Sequence, residues 1–463
     1  VRRNASFRRS PLDSVTTRQS LQAAGAEFPY AKAFHAYGVN KRAVRLVPCV
    51  LIGILLAACS GQAMSLPSIA PNASPHRAAN ARYRIVHTFD GASGGANPEA
   101  GLIVSNGTFY GTTFNGGAHA GGVVFAVTPS GQERALYSFA GVEDGFNPYT
   151  SLTEVDGTLF GDTTSGGGYP CHFHYYASGC GTIFAVSGTG RERILYRFEG
   201  TADGATPQVG LVTLGGTLYG AAQYGGGGKK ACGEGGCGTI FSITTSGKER
   251  TVFTFSGANG SSPLASMIVV NGLLYGTTFS GGANNKGTIF GLAPSGKQRV
   301  VYSFKGGKDG AYPWAPLLAQ GGSLYGTTLT GGGGKGCRQN LGCGTIFKID
   351  ASGKETVVHR FGDGSDGGNP QTGLTYVNGA FYGVAARGGN TCKVGLGCGT
   401  LFKMTPSGTF SVLHRFNGGV SDGSAPQGDL LYWNGLLYGT TLSGGSGGCY
   451  GSLGCGTIFS VKP

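Results

Sequence analysis

Residues 83–463 predict an all-β fold, a seven-bladed β-propeller of four-stranded antiparallel blades whose ring is closed by the N- and C-terminal strands. Three observations predict it. An aromatic-Gly step recurs from Tyr110-Gly111 to Tyr438-Gly439 at intervals of 50 to 59 residues. A GTIF-type run ends at Phe125, Phe184, Phe241, Phe290, Phe347, Phe402 and Phe459, and a third apolar run ends at Phe89, Phe139, Phe198, Phe255, Phe304, Phe361 and Phe416. Finally, Tyr83–Phe89 is a fourth-type strand with no first three before it, and the chain ends on a third-type strand with no fourth after it. Joined, these termini complete one blade, and closure removes the exposed strand edges of an open array.

The chain is read in order from its start. Residues 1–38 have no periodic pattern and read as a doubtful leader or a gene start placed too early. Residues 39–58 read as a lipoprotein signal: Lys41, Arg42 and Arg45 precede a short apolar run that ends Leu56-Ala57-Ala58-Cys59. That run is shorter than the roughly 20 residues that span a bilayer. The expectation is lipidation at Cys59, with Ser60 after it favouring the outer membrane or cell surface of a bacterial envelope. Residues 59–82, rich in Ser, Pro, Ala and Asn, read as a flexible tether.

Within a unit the strands are short and β-branched or aromatic. In the second copy, 150–155 and 158–164 flank Asp156-Gly157, a strong hairpin turn, and 181–187 and 192–198 follow. No stretch holds a helical period long enough for a helix. The chain has 90 Gly in 463 residues without a strict period of three, which excludes collagen, and 40% hydrophobic residues exclude a disordered chain. Its net charge of +13 includes a basic N-terminal segment, and the rest is scattered without a dense basic block, so no nucleic-acid partner is expected.

The repeats and the lipobox together resemble the choice-of-anchor tandem repeat family that carries the GloVer repeat. GTT after the aromatic-Gly step, the GTIF run and the FxGxxDGxxP turn carry the likeness, over about residues 83–463. The resemblance implies an envelope or extracellular protein and brings no catalytic or ligand residues with it.

Ten cysteines fall in five local pairs: Cys171/Cys180, Cys232/Cys237, Cys337/Cys343, Cys392/Cys398 and Cys449/Cys455. Every pair lies between second and third strands. That connection is longer in the five units with Cys than in units one and four, which have none. A local crosslink offsets the entropy of ordering a longer loop, so disulfides are expected in a secreted chain. A zinc site would need four ligands together, and these pairs belong to different blades.

Between fourth and first strands the units share an Asp-Gly turn with Asp144, Asp203, Asp309, Asp366 and Asp422; unit four has Asn259 and unit one has Gly94. The turn chemistry of Asp and Gly accounts for it, and a calcium or sugar-hydroxyl contact is the functional alternative. These turns and the disulfide loops share one face of a propeller. His119, with His172, His174, Tyr175 and Tyr176 of the longest loop, joins the five Asp as a candidate ligand rim. His87, His359 and His414 stand where other units have Tyr137, Tyr196, Phe253 and Tyr302, which marks a packing role. No zinc-protease or phosphate-loop motif is present. No catalytic residue, metal or other cofactor is assigned.

The resulting expectation is a lipid-anchored envelope propeller that presents a binding or assembly surface for extracellular glycan or protein, and that is more a binder than an enzyme. The alternative is an extracellular polysaccharide lyase or hydrolase at the loop-rich rim. A convergent set of acid–base side chains at the channel mouth would favour the enzyme.

Overall fold

The computed structural model describes residues 83–463 apart from 169, 172–178, 228, 335–340, 363–364, 390–396 and 450–452. Seven antiparallel sheets contain these residues, and each runs from a three-residue inner strand through two central strands to an outer strand. The second blade has Thr153–Val155, Thr158–Thr163, Thr182–Ser187 and Glu192–Arg197 in that order. Asp156 and Gly157 both take positive φ at the first hairpin, as the sequence predicts. Two sheets gain a fifth short strand, Ala205–Pro207 and Gly423–Pro426. A single helical turn, Lys229–Cys232, lies in a disulfide loop.

The ring closes as expected. Tyr83–Thr88 pairs with Thr457–Val461, in register from Tyr83 opposite Val461 to Thr88 opposite Thr457. The register slips between Ile85 and His87, and the other six outer strands slip at the matching place. The shared bulge identifies Tyr83–Thr88 as the seventh outer strand rather than a chance addition. Tyr83 also stacks on His414 of the preceding blade, with ring centroids 3.9 Å apart.

Two of the sequence markers turn out to be one device. The Gly of the aromatic-Gly step sits directly across from the Phe of the GTIF run, as Gly276 does from Phe290. A Cβ on Gly276 would lie 2.6 Å from the tip of the Phe290 ring, and the other six pairs are built the same way. Only glycine leaves that ring room to lie flat over the sheet. The third strands that carry these Phe residues are almost wholly buried.

A second device joins the blades. Each residue before the turn proline has positive φ: Asn97, Asn147, Thr206, Ser262, Tyr312, Asn369 and Ala425. Its N–H donates to the carbonyl just before the GTIF glycine of the preceding blade, for example Asn147 to Gly121 and Thr206 to Cys180. The proline ring packs on that glycine, so a Cβ at Gly122 would come within 2.6 Å of Pro148 Cδ. Positive φ is costly for Thr206 and Tyr312, whose side chains crowd the backbone there. The strain recurs seven times at the position that aims the chain toward the axis.

Cysteine placement agrees with the expected pairs where they are described. Cys171–Cys180, Cys232–Cys237 and Cys449–Cys455 are disulfides. Cys343 and Cys398 are also disulfide-bonded, while Cys337 and Cys392 lie outside the described residues.

Candidate functional site at the propeller axis

The residue after each turn proline points the way to a site. These are Glu99, Tyr149, Gln208, Leu264, Trp314, Gln371 and Gln427, one from each blade. All seven line a single cavity of about 70 Å³, together with Ser151, Ser266 and Asp429 from two residues further on. Contributions from every blade place this cavity at the mouth of the central channel. The blades meet closely there: a Cβ on Gly101 would lie 3.1 Å from the Asp429 backbone and 3.1 Å from Ser151 Oγ. By volume the enclosed part holds a handful of waters or one small polar group.

The chemistry of the mouth is acidic and amide-rich, with no Lys, Arg or His in its lining. Glu99 is 8% exposed, and burial pushes its carboxyl up to about 8, against the opposing effect of a hydrogen bond from Tyr149. Its Oε2 has no protein partner, and neither does Gln371 Oε1. Asp429 accepts the Gly373 N–H at 2.6 Å, yet burial still raises its carboxyl. Behind the lining, Thr150 donates to Asp162 Oδ1 at 3.1 Å, and burial pushes Asp162 up to about 7. Asp162 stands where other units have Thr112, Thr327 or Thr440, each of which donates to a backbone carbonyl of the next blade. A carboxyl held protonated near neutral pH can donate a hydrogen bond or a proton, which a surface carboxylate cannot.

The five aspartates expected at a ligand rim are each hydrogen-bonded locally. Asp144 accepts the Tyr137 hydroxyl at 2.9 Å and the Ala140 N–H at 2.7 Å. Asp203 and Asp309 do the same with Tyr196 and Tyr302, and with the N–H groups of Glu199 and Lys305. On the fifth outer strand His359 Nε2 takes the tyrosine's part toward Asp366 of the next turn at 3.1 Å, and on the sixth His414 does so toward Asp422 at 3.2 Å. The turn therefore latches back onto the outer strand. The histidines keep the aromatic packing read from the sequence, and they also preserve a donor. In the fourth unit Phe253 has none, and there the Asp is replaced by Asn259, which accepts the Ser256 N–H. His87, opposite Gly94, donates from Nδ1 to the Gly131 carbonyl at 3.2 Å instead.

His119 is exposed in the short loop of the first blade. His172, His174, Tyr175 and Tyr176, and the expected lipidation site Cys59, lie outside the described residues. Among the described residues no group of three or more His, Cys, Asp or Glu could hold a metal ion.

Sequence reasoning missed the axial ring, although its signal was present. Around an invariant turn proline, the position that follows varies in chemistry, from Glu to Leu to Trp.

Comparison with known proteins follows from this geometry. The Gloeobacter/Verrucomicrobia repeat matches residues 76–232 and 227–459, and the chain belongs to that family. No curated protein matches it. Among solved structures, it is similar to the PQQ-bound aldose sugar dehydrogenase of Streptomyces coelicolor, at 14% identity over 82% of this chain and 97% of that one, with a TM-score of 0.41. A putative 6-phosphogluconolactonase from Bacteroides uniformis is 15% identical over 72% of this chain and 88% of that one, with a TM-score of 0.44. A gluconolactonase from Xanthomonas campestris is 12% identical over 61% and 79%, with a TM-score of 0.36. At these values the likeness shows the fold alone. The expectation of a binder rather than an enzyme is withdrawn, since these neighbours are named as enzymes; their likeness carries no argument about the role of this chain.

Proposed function

We propose that the protein is a carbohydrate-acting enzyme whose site is the axial mouth, and that Cys59 tethers it to a bacterial envelope through lipid. The single observation that carries the first part is Glu99: a carboxyl held protonated near neutral pH, with one oxygen free, facing a cavity ringed by glutamines and aromatics. Amide side chains match sugar hydroxyls, Tyr149 and Trp314 offer ring faces, and Glu99 is placed to protonate a leaving oxygen. Asp429, which keeps a backbone N–H donor, is the second carboxyl that hydrolysis of a glycosidic bond requires. A uronic-acid carboxylate would find no Lys, Arg or His in the described lining to pair with, which favours a neutral sugar and, with it, hydrolysis over elimination.

The test is turnover of neutral oligosaccharides by the full chain and by Glu99→Gln. Losing a general acid lowers the rate by about 10²–10⁴-fold. The wild-type rate should fall as pH rises through about 8, where Glu99 loses its proton. Equal rates in the two proteins would refute the assignment. For the anchor, the intact mass of the membrane-bound protein should show acylated Cys59, and release by high salt alone would refute it.

A further inference from the structure

Two features of the repeat vary together around the ring. Units one and four lack the disulfide and have the short connection between second and third strands. Those two units alone place Phe, at Phe114 and Phe279, just after the second strand; the other five have Thr164, Gln223, Leu329, Ala386 and Leu442 there. Moreover, the only aromatics in the axial ring are Tyr149 and Trp314, in the blades that follow units one and four. The structure brings each pair together. Phe114 meets Tyr149 edge to face with centroids 6.0 Å apart, and Phe279 meets Trp314 at 5.3 Å in the same way. Tyr312 stacks on Phe279 at 4.9 Å, held by Lys286 Nζ, which donates to its hydroxyl at 2.9 Å.

All five rings are partly exposed. The two shelves are homologous in position, and they stand three blades apart one way and four the other, nearly opposite across the axis. Each occurs in a unit with the short, cysteine-free connection, and each ends in a ring that lines the mouth.

We propose that the two shelves and the mouth form one continuous trough, which carries an extended neutral glycan chain across the face from blade one to blade four. Sugar rings stack on Phe114 and Tyr149 at one end and on Phe279 and Trp314 at the other, while the middle of the chain passes over Glu99 and the glutamines. Packing fills the space a missing loop leaves, and the partial exposure of all five rings is what leaves their faces open to a sugar. This inference rests on the proposed carbohydrate site and adds that the substrate is a chain entered along its length.

Binding of cello-, xylo-, chito- and malto-oligosaccharides of two and six units to the full chain tests it, read by Trp314 fluorescence in a Trp433→Phe background. A six-unit sugar should bind more tightly than its two-unit counterpart. Phe114→Ala and Phe279→Ala should each weaken the six-unit sugar by about tenfold, weaken the two-unit sugar less, and be rescued by Phe→Tyr, which adds no second tryptophan to the readout. Both positions are partly exposed, so these variants keep the blade core. Six-unit affinity within twofold of wild type in both variants, or equal affinity for both lengths, overturns the trough. If Glu99→Gln abolishes turnover in that case, the axial site stands without it. If none of the probes binds, both readings fall.

Discussion

The latch between outer strand and acidic turn can be tested at Tyr302 and Asp309. The Tyr302 hydroxyl donates to Asp309 Oδ1 at 2.7 Å, while Oδ2 accepts the Lys305 N–H at 2.6 Å. Tyr302→Phe removes a hydrogen bond to a charged, half-buried oxygen. Such bonds contribute roughly 1.5–3 kcal/mol, and partial exposure places this one near the lower figure. Asp309→Asn alone exchanges the charged acceptor for an amide and costs about 1 kcal/mol. The combination Phe with Asn is what the fourth unit already uses at Phe253 and Asn259, so the double variant should cost clearly less than the sum. A coupling of about 1 kcal/mol is expected, well above the 0.3–0.5 kcal/mol by which independent sites deviate from additivity. Equilibrium urea unfolding of the four proteins measures it through the midpoint at constant slope. Additive singles would refute the latch and return the aspartates to the list of free rim groups.

Three other outcomes follow from the fold. Deleting 83–89 should lower the melting temperature by more than about 5 °C relative to deleting the tether at 60–80, because it strips Phe89 from the core and exposes a strand edge; melts that agree within about 2 °C would contradict closure by this strand. Gly276→Ala should cost about 1–3 kcal/mol by driving a methyl into the Phe290 ring, and Gly276→Ala with Phe290→Leu should recover part of it; a neutral single variant in urea unfolding would show that the ring yields freely. Stability should fall as pH rises from about 4.5 to 8. Burial raises Glu192, Glu249 and Glu355 to about 7 and Glu99 to about 8 from an ordinary value of 4.5, so across that window the folded chain holds protons the unfolded chain has released. Glu99→Gln should flatten the upper end of the decline in melts taken between pH 5 and 9, and an unchanged slope would refute the assigned burial.

Much of the fold was legible because each marker answers to one geometric demand. Gly276 must be glycine to admit Phe290, so the step recurs in all seven units and is easy to see; the positive φ before each turn proline is met by Asn, Thr, Ser, Tyr or Ala and leaves no such marker. The ring closure was legible from strand bookkeeping alone. The axial site was not found, for the converse reason. Glu99, Leu264 and Trp314 occupy equivalent places and share no chemistry, so a search for recurring residues passes over them. Asp144 and its equivalents recur instead, because each latches its turn to an outer-strand side chain such as Tyr137. What the repeat varies, inside a frame that it keeps, is where this molecule differs from blade to blade.

The account turns on where a sugar chain lies. A crystal structure of the full chain with a bound six-unit neutral oligosaccharide tests this most directly. The account predicts sugar rings over Tyr149 and Trp314, with one glycosidic oxygen within hydrogen-bond distance of Glu99. An oligosaccharide seated on the disulfide loops, with the axial mouth holding only water, would contradict it.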